Sequence, residues 1–275
     1  MKTLGDPTYK SIANLMHATI GLSFTDSKKA LVASRLSTRM QQLGLKSFDD
    51  YYALIYGGPD DEEFQVAVDL LTTNETYFFR ERRHFNLLEE ELRHSRPQRL
   101  KVWSAASSYG DEAYSTAMLL SDLQRQGCIG QDWSILGTDI SDRVLQGAVE
   151  AIYPETRLRE VSDEHLKRYC LRGEGEAQGL VQINDSIKSH VRFGQLNLCQ
   201  DIEPLGPFDV IFLRNVLIYF DNQTKRQVID RVLSQLRVGG LFFIGMAEGR
   251  IQCDTPMQSL EPGAFRKLAA KSGQA

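Results

Sequence analysis

A charged and an amide side chain interrupt a strongly apolar stretch, FDVIFLRNVLIYFD, which spans residues 208–221. Arg214 and Asn215 stand where a buried strand would leave the core, and burying a guanidinium is costly unless it finds partners. A ligand with a carboxylate and an amino group would supply such partners. The pair therefore indicates a binding site at the end of this strand.

Three more polar groups stand at or just beyond the ends of other predicted strands. Glu112 opens the helix after the first strand, Asp139 ends the second strand and Asn197 ends the third. In a doubly wound sheet, ligands bind in the crevice at the carboxyl ends of the strands. Taken singly, Asp139 could be only a helix cap and Asn197 only a strand end. Taken together, the groups predict one shared site.

The loop before Glu112, ASSYGDE, limits the ligand that this site can hold. It lacks the three glycines of a dinucleotide fingerprint, and Asp111 and Glu112 crowd the helix N-terminus where a pyrophosphate would bind. NAD and ATP are therefore disfavoured. A ligand with a ribose for Asp139 and a positive charge for the carboxylates, but without phosphate, fits better. S-adenosylmethionine has these features.

The sequence contains no spacing typical of a metal site or of a nucleophile–histidine pair, and its five histidines are scattered. Methyl transfer to a carboxylate tolerates this because a glutamate, with an ordinary pKa of about 4.3, is already ionised near pH 7. The protein needs only to align the carboxylate oxygen with the methyl group and to exclude water. No metal is expected.

The elements that must position these groups fall into two parts. Residues 1–72 predict a helical N-terminal domain, because apolar residues recur there at helical spacing, as at Val32, Leu36, Met40 and Leu43. Residues 99–275 predict a Rossmann-like, doubly wound α/β domain, because strand-like runs alternate with helical ones. Residues 73–98 form the linker between them.

The glycine-rich stretch at about 170–196 does not follow this alternation. A short β-like run and an Asn-Asp turn predict a small antiparallel β-subdomain inserted into the sheet domain. A long crossover loop is the alternative.

Composition narrows the class of protein without naming a function. The chain is 42% apolar and 25% charged, with a net charge of −4, which argues against a nucleic-acid binder. Its four cysteines lack a CxxC spacing, and it has neither a signal-like N-terminus nor a membrane-length apolar run. We therefore expect a cytoplasmic protein that does not insert into a membrane, and a monomer.

Several segments occur in an order that closely resembles the chemotaxis receptor methyltransferases, the CheR-type glutamate O-methyltransferases. These segments are LLTTNETYFFRE (70–81), VWSAASSYGDEAYSTAM (102–118), LGTDIS, NL (197–198), FLRNVLIYFD and GGLFFIGMAE. The resemblance covers nearly the whole chain. It implies an S-adenosylmethionine-dependent enzyme that forms glutamate methyl esters on the cytoplasmic helices of chemoreceptors.

The resemblance also implies roles for individual residues. Its cofactor contacts fall here on Asn74, Thr76, Arg80, Glu112, Asp139, Asn197, Leu198, Arg214 and Asn215. Arg80 and Tyr219 are the predicted catalytic residues, with Tyr219 lining the approach of the acceptor. The receptor-facing basic helix of the family corresponds to the stripe Lys28, Arg35 and Arg39. The inserted β-subdomain matches one that in some members docks a receptor tail peptide.

The first loop departs from the family pattern. Asp111 replaces the first of two glutamates, so Glu112 is the better candidate for the cofactor acid, and Tyr109 and Ala113 also differ from the usual residues. Two alternatives to a receptor methyltransferase stay open at this point. One is a methyltransferase with another acceptor, and the other is a cofactor-binding adaptor without catalysis.

Overall fold

The computed structural model describes residues 3–57 and 62–270. The N-terminal helices are α1 (Asp6–Ile20), α2 (Lys29–Gln42), α3 (Phe48–Ile55) and α4 (Glu62–Leu71). The next elements are α5 (Arg82–Ser95), β1 (Arg99–Ser104), α6 (Asp111–Arg125), β2 (Asp132–Asp139), α7 (Asp142–Glu150), β3 (Ile152–Pro154), α8 (Asp163–Tyr169), β4 (Cys170–Arg172), β5 (Leu180–Ile183) and α9 (Asp185–Lys188). The last are β6 (Val191–Gln195), β7 (Phe208–Leu213), α10 (Asn222–Ser234), β8 (Leu236–Ile244), β9 (Met257–Glu261) and β10 (Ala264–Lys267).

The four N-terminal helices pack into a bundle with its own apolar core. The predicted apolar stripe of α2 faces this core at Val32, Leu36 and Met40, each at most 1% exposed. The prediction is wrong for Leu43, which lies 38% exposed, because α2 ends one residue earlier and the chain turns away. Lys28 also lies outside α2, in a 3-10 turn that precedes it.

The second part is built on a seven-stranded sheet with the order β6-β2-β1-β7-β8-β10-β9. Neighbouring strands from β6 to β8 are parallel, whereas β10 pairs antiparallel with both β8 and β9. The predicted α/β class with a Rossmann-like, doubly wound parallel sheet is confirmed. The strand β9 was missed by the sequence analysis.

Strand β7 has a core on each of its faces, as a central strand of a doubly wound sheet must. Val210 and Phe212 join the core that contains residues of α5 and α6, whereas Ile211 and Leu213 join the core that contains residues of α10. Because side chains alternate along a strand, the continuous apolar run VIFL (210–213) is buried on both faces. Its carboxyl end is therefore held rigidly beneath Arg214.

The small antiparallel sheet is present, with the order β3-β5-β4. Its bounds differ from the predicted insertion at 170–196. It recruits residues 152–154, which pair with β5, while residues 191–195 form β6 and pair parallel with β2 in the main sheet. A three-residue strand next to a helix end gives no periodic signal, which is why β3 escaped prediction. Within residues 3–57 and 62–270, no helix is both long and apolar enough to cross a membrane.

Candidate active site

A cleft lies at the carboxyl ends of β1, β2 and β7 and is closed on one side by the N-terminal bundle. The structure brings together in its lining all the residues predicted to bind the cofactor, and Tyr219 as well. These are Asn74, Thr76, Arg80, Glu112, Asp139, Asn197, Leu198, Arg214, Asn215 and Tyr219. The basic residues Lys28, Arg35 and Arg39 do not line this cleft.

Asp139 is the last residue of β2 and is 8% exposed. Its Oδ2 accepts the backbone N–H of Ser108 at 2.8 Å, and its Oδ1 accepts that of Ser141 at 3.0 Å. Burial raises the pKa of this carboxyl, and the two backbone donors oppose the rise. Ser141, not Asp139, caps α7. The carboxylate therefore joins the first loop to the start of α7 and retains lone pairs toward the cleft.

Glu112, in the first turn of α6, points to the same cleft. Its Oε1 accepts the hydroxyl of Ser104 at 2.6 Å, and its Oε2 lies 3.4 Å from Nε of Arg214. Burial raises the pKa of Glu112, and the nearby guanidinium and hydroxyl partly offset this. A carboxylate held in this way offers negative charge to a cationic ligand.

The contacts of Arg214 explain how a guanidinium can be buried at the end of β7. It lies between two carboxylates, with Nε 3.6 Å from Glu81 and 3.4 Å from Glu112, and its side chain is only 2% exposed. It also donates to the carbonyl of Arg80, and its guanidinium stacks near the rings of Phe85 and Phe212. Among the described residues, its Nε and Nη1 have no hydrogen-bond partner. These buried donors can serve a ligand.

Asn215 adopts a left-handed backbone with φ of 61°. Its N–H donates to Glu248 at 3.0 Å, and its side-chain amide donates to Glu81 at 3.3 Å. Glu81 also accepts the N–H of Met246 at 3.2 Å. Sequence reasoning missed Glu81 and Glu248. Both lie within segments that carry the family resemblance, FFRE and GMAE, but only the fold shows that they converge on Asn215.

The linker between α4 and α5 forms one wall of the cleft. Asn74 donates to the hydroxyl of Thr72 at 3.2 Å, and its carbonyl accepts the hydroxyl of Ser108 at 3.2 Å. The carbonyl of Thr76 lies 3.4 Å from a donor of Arg157. Arg80 donates to the carbonyl of Glu75 at 2.9 Å. Backbone carbonyls and the side chains of Asn74 and Arg80 thus fix the linker along the wall of the cleft.

The N-terminal bundle contacts the opposite wall. Asn197 donates to the carbonyl of Thr19 at 2.7 Å, and the N–H of Ser23 donates to the carbonyl of Tyr219 at 2.9 Å. Gly21 has φ of 72°, and a Cβ there would lie 2.4 Å from Sγ of Cys199, so that only glycine fits. Because the side-chain amide of Asn197 donates to Thr19, one of its two N–H donors is already used by the bundle.

The structure divides the predicted basic stripe. Lys28 is exposed. Arg39 forms an ion pair with Glu63, with Nη2 and Oε2 2.6 Å apart, and Arg35 donates to the end of α4. Both arginines are partly buried between α2 and α4. The sequence predicted that both arginines face a receptor. The spacing of residues along α2 could not show that Glu63 and the carbonyl of Leu71 lie within reach of them.

Asp111 is buried outside the cleft, where its Oδ2 accepts Arg157 at 3.1 Å. Burial raises its pKa to about 6, although Arg157 opposes the rise. The prediction that Glu112, rather than Asp111, faces the ligand agrees with this arrangement.

We expect Asp111→Asn to stabilise the unliganded protein at pH 8. A raised pKa means that the native state holds more protons than the unfolded state between about pH 4 and pH 6, so stability falls as pH rises through that window. Asparagine resembles the neutral acid, so the free energy of unfolding at pH 8 should rise by roughly 2–3 kcal/mol, with little change at pH 4. Denaturant titration at both pH values measures this.

Asp142→Asn is the matched control, because Asp142 is exposed and also lies in a first helical turn. It should be neutral or slightly destabilising at pH 8. An Asp111→Asn protein less stable than the wild type at pH 8 would contradict the expectation.

Among the residues that the structure describes, no group of three His, Cys, Asp or Glu side chains could hold a metal ion. The polar groups that line the cleft are instead carboxylates, amides, hydroxyls and the guanidiniums of Arg80 and Arg214.

Comparison with known proteins gives consistent matches over most of the chain. Residues 7–72 match the family model of the CheR methyltransferase all-alpha domain, and residues 74–261 match that of the CheR methyltransferase SAM binding domain. The chain is 40% identical over 248 residues to the chemotaxis protein methyltransferase of Klebsiella aerogenes, covering 89% of this chain and 84% of that one. It is 38% identical over 246 residues to that of Escherichia coli strain K12, covering 89% and 85%. It is 37% identical over 257 residues to chemotaxis protein methyltransferase 2 of Pseudomonas aeruginosa, covering 92% and 90%.

Proposed function

Because this chain belongs to the CheR methyltransferase family, we propose that it transfers methyl groups from S-adenosylmethionine to glutamate side chains of chemoreceptors. The resemblance seen in the sequence is confirmed, and the chain is an S-adenosylmethionine-dependent methyltransferase of the chemotaxis class. The acceptor atom and the residues that act on it are the proposal. The reaction would take place in the cytoplasm, on the signalling helices of the receptors, with the enzyme as a monomer.

The cleft fits this cofactor. Buried polar atoms of its lining residues, Ser107 Oγ and Nε and Nη1 of Arg214, have no hydrogen-bond partner among the described residues. Asp139 would hold the ribose hydroxyls, Glu112 the positive charge, and Arg214 with Asn215 the amino-acid end. The remaining lining residues are largely apolar and suit an adenine ring.

The excess of carboxylates around the cleft is the observation that carries the proposal. Glu81 and Glu112 flank the guanidinium of Arg214. Glu248 accepts the backbone N–H groups of the neighbouring Asn215 and Leu217. The cleft itself is lined by three carboxylates, those of Glu75, Glu112 and Asp139, and by two guanidiniums, those of Arg80 and Arg214. Such a site attracts a sulfonium or an ammonium and repels phosphate. When bound, the cofactor supplies an activated methyl group, which the acceptor oxygen takes as the carbon–sulfur bond breaks.

An ionised acceptor needs no general base from this chain. The proposed tasks of the protein are therefore to align the acceptor and to exclude water. Arg80 and Tyr219 line the same cleft. We propose that they guide the acceptor carboxylate, with the charge of Arg80 attracting it and Tyr219 lining its approach.

The charge distribution of the chain also favours a receptor over a small molecule as the methyl acceptor. Residues 1–56 carry seven lysines and arginines against four aspartates and no glutamate, whereas the whole chain is acidic. The segment that contains α1 to α3 could therefore attract acidic receptor helices, whereas residues 57–72, which contain α4, add five acidic residues and no basic one.

Labelled S-adenosylmethionine with a purified receptor signalling fragment tests the proposal. We expect label in the fragment that mild base releases as methanol, the behaviour of a carboxyl methyl ester. A fragment whose methylation glutamates are replaced by alanine is the control and should take up no label. Base-stable label would assign another acceptor atom, and binding of the cofactor without label transfer to the fragment would favour an adaptor.

A further inference from the structure

Arg35, on α2, points its guanidinium toward the end of the neighbouring helix α4. Nη1 donates to the carbonyl of Leu71 at 2.8 Å and to that of Thr72 at 3.0 Å. Nη2 donates to the hydroxyl of Thr73 at 3.0 Å. One planar side chain thus donates hydrogen bonds to three successive residues, a geometry that suits arginine and not lysine.

The three residues that accept these bonds, Leu71, Thr72 and Thr73, connect the bundle to the cleft. Leu71 ends α4, and the last carbonyls of a helix have no partner within it. Thr72 and Thr73 directly follow α4 and line the cleft, as Asn74 does next. The hydroxyl of Tyr219 lies 3.5 Å from the carbonyl of Thr73 on the other side. Arg35 therefore fixes the start of one cleft wall.

Arg39 makes a useful contrast, because it joins the same two helices at the other end of α4. Its guanidinium bonds both carboxylate oxygens of Glu63, which also accepts the hydroxyl of Tyr51 at 3.0 Å. Glu63 lies in the first turn of α4. Neither Arg39 nor Glu63 lines the cleft. Two arginines on one helix thus hold α4, but only Arg35 reaches the cofactor wall.

We propose that Arg35 is a positioning residue for cofactor binding, which acts by holding residues 71–73 in place. Through this contact, α2, the helix predicted to bind the receptor, is connected to the wall of the cofactor cleft. The inference rests on binding of S-adenosylmethionine in the cleft and does not depend on the identity of the acceptor. A charge that serves only receptor docking would leave cofactor affinity unchanged.

Calorimetric titration with S-adenosylhomocysteine, below the melting temperature of every variant, decides between these roles. We expect Arg35→Ala to raise the dissociation constant roughly three- to ten-fold, the effect of charge-assisted hydrogen bonds lost one step from the ligand. Arg39→Ala should lower the melting temperature and leave the dissociation constant within about two-fold of the wild-type value. Lys46→Ala removes an exposed charge from the same bundle and should change neither.

Arg35→Lys keeps the positive charge and serves if the alanine variant does not fold. Because an ammonium on a shorter stem does not reproduce the planar fork, the affinity should stay reduced. Wild-type affinity in Arg35→Ala, full recovery in Arg35→Lys, or an equal loss of affinity in Arg39→Ala would each overturn the proposal. No receptor enters the titration, so these outcomes are independent of whether receptor glutamates are the acceptors.

Discussion

Replacing Arg214 by methionine should destabilise the unliganded protein by about 3–5 kcal/mol at pH 8. The guanidinium lies 3.6 Å from Glu81 and 3.4 Å from Glu112, in a place where its own side chain is 2% exposed. Methionine reproduces the unbranched stem of arginine as far as Nε and is apolar, so it keeps the packing of the stem but leaves two carboxylates without their cation. The cost is mainly that of uncompensated buried charge and not of a cavity.

The same variant should show a pH dependence that the wild type shows less strongly. Burial already raises the pKa of Glu112, and Arg214 is the largest opposing influence. Without Arg214 the pKa rises further, so the native state holds more protons than the unfolded state over a wider window, and stability falls as pH increases through it. The destabilisation should therefore be smaller at pH 5 than at pH 8.

Arg237→Met provides the control for this experiment. Arg237 pairs with Asp209 at 2.5 Å, but its side chain is 49% exposed and solvent screens the pair. Its removal should cost at most about 1 kcal/mol and show little change between the two pH values. Denaturant titrations of both variants without cofactor give the comparison. A loss in Arg214→Met no larger than in Arg237→Met would mean that the carboxylates find other partners.

The positions of the cleft residues could be predicted because a parallel sheet gathers its strand ends. Asp139, Asn197 and Arg214 are far apart in sequence, yet each stands at or just after the end of a predicted strand, and the observed order β6-β2-β1-β7 places these strands in one sheet. The alternating rhythm of strands and helices was enough to predict this edge. No contact between side chains had to be known.

The partners of these residues could not be predicted, because they depend on local backbone geometry. Glu81 and Asn215 both have positive φ, 57° and 61°, and these turns aim the carboxylate of one at the amide of the other. Non-glycine residues rarely adopt this conformation, and no sequence pattern marks it here. The strain is offset by the bonds to Glu248 and Met246. An alanine at 215 would keep the strain and lose the amide.

The inward turn of Arg35 escaped prediction for a related reason. Helical spacing shows which residues share a face, but not which unpaired carbonyls a neighbouring helix presents to that face. The end of α4 presents those of Leu71 and Thr72. A basic stripe in sequence is thus equally compatible with docking and with capping of an adjacent helix.

We expect Asp139→Ala to weaken binding of S-adenosylhomocysteine roughly ten- to a hundred-fold, or about 1.5–3 kcal/mol. If its carboxylate holds the ribose hydroxyls, the substitution removes those bonds. It also frees the backbone N–H groups of Ser108 and Ser141, which Asp139 accepts at 2.8 and 3.0 Å. Calorimetry measures the affinity, and the melting temperature measured in parallel reports how far the loop has loosened.

Ser141→Ala separates the two effects. The hydroxyl of Ser141 caps α7 by accepting the N–H of Val144 at 3.5 Å, so its removal should cost about 1 kcal/mol of stability. The carboxylate of Asp139 stays in place, and cofactor affinity should remain within about two-fold of the wild-type value. If Asp139→Ala lowers the melting temperature but binds the cofactor normally, Asp139 only joins the first loop to α7. A large loss of affinity in Asp139→Ala alone requires a direct contact with the ligand, since both variants loosen the start of the same helix.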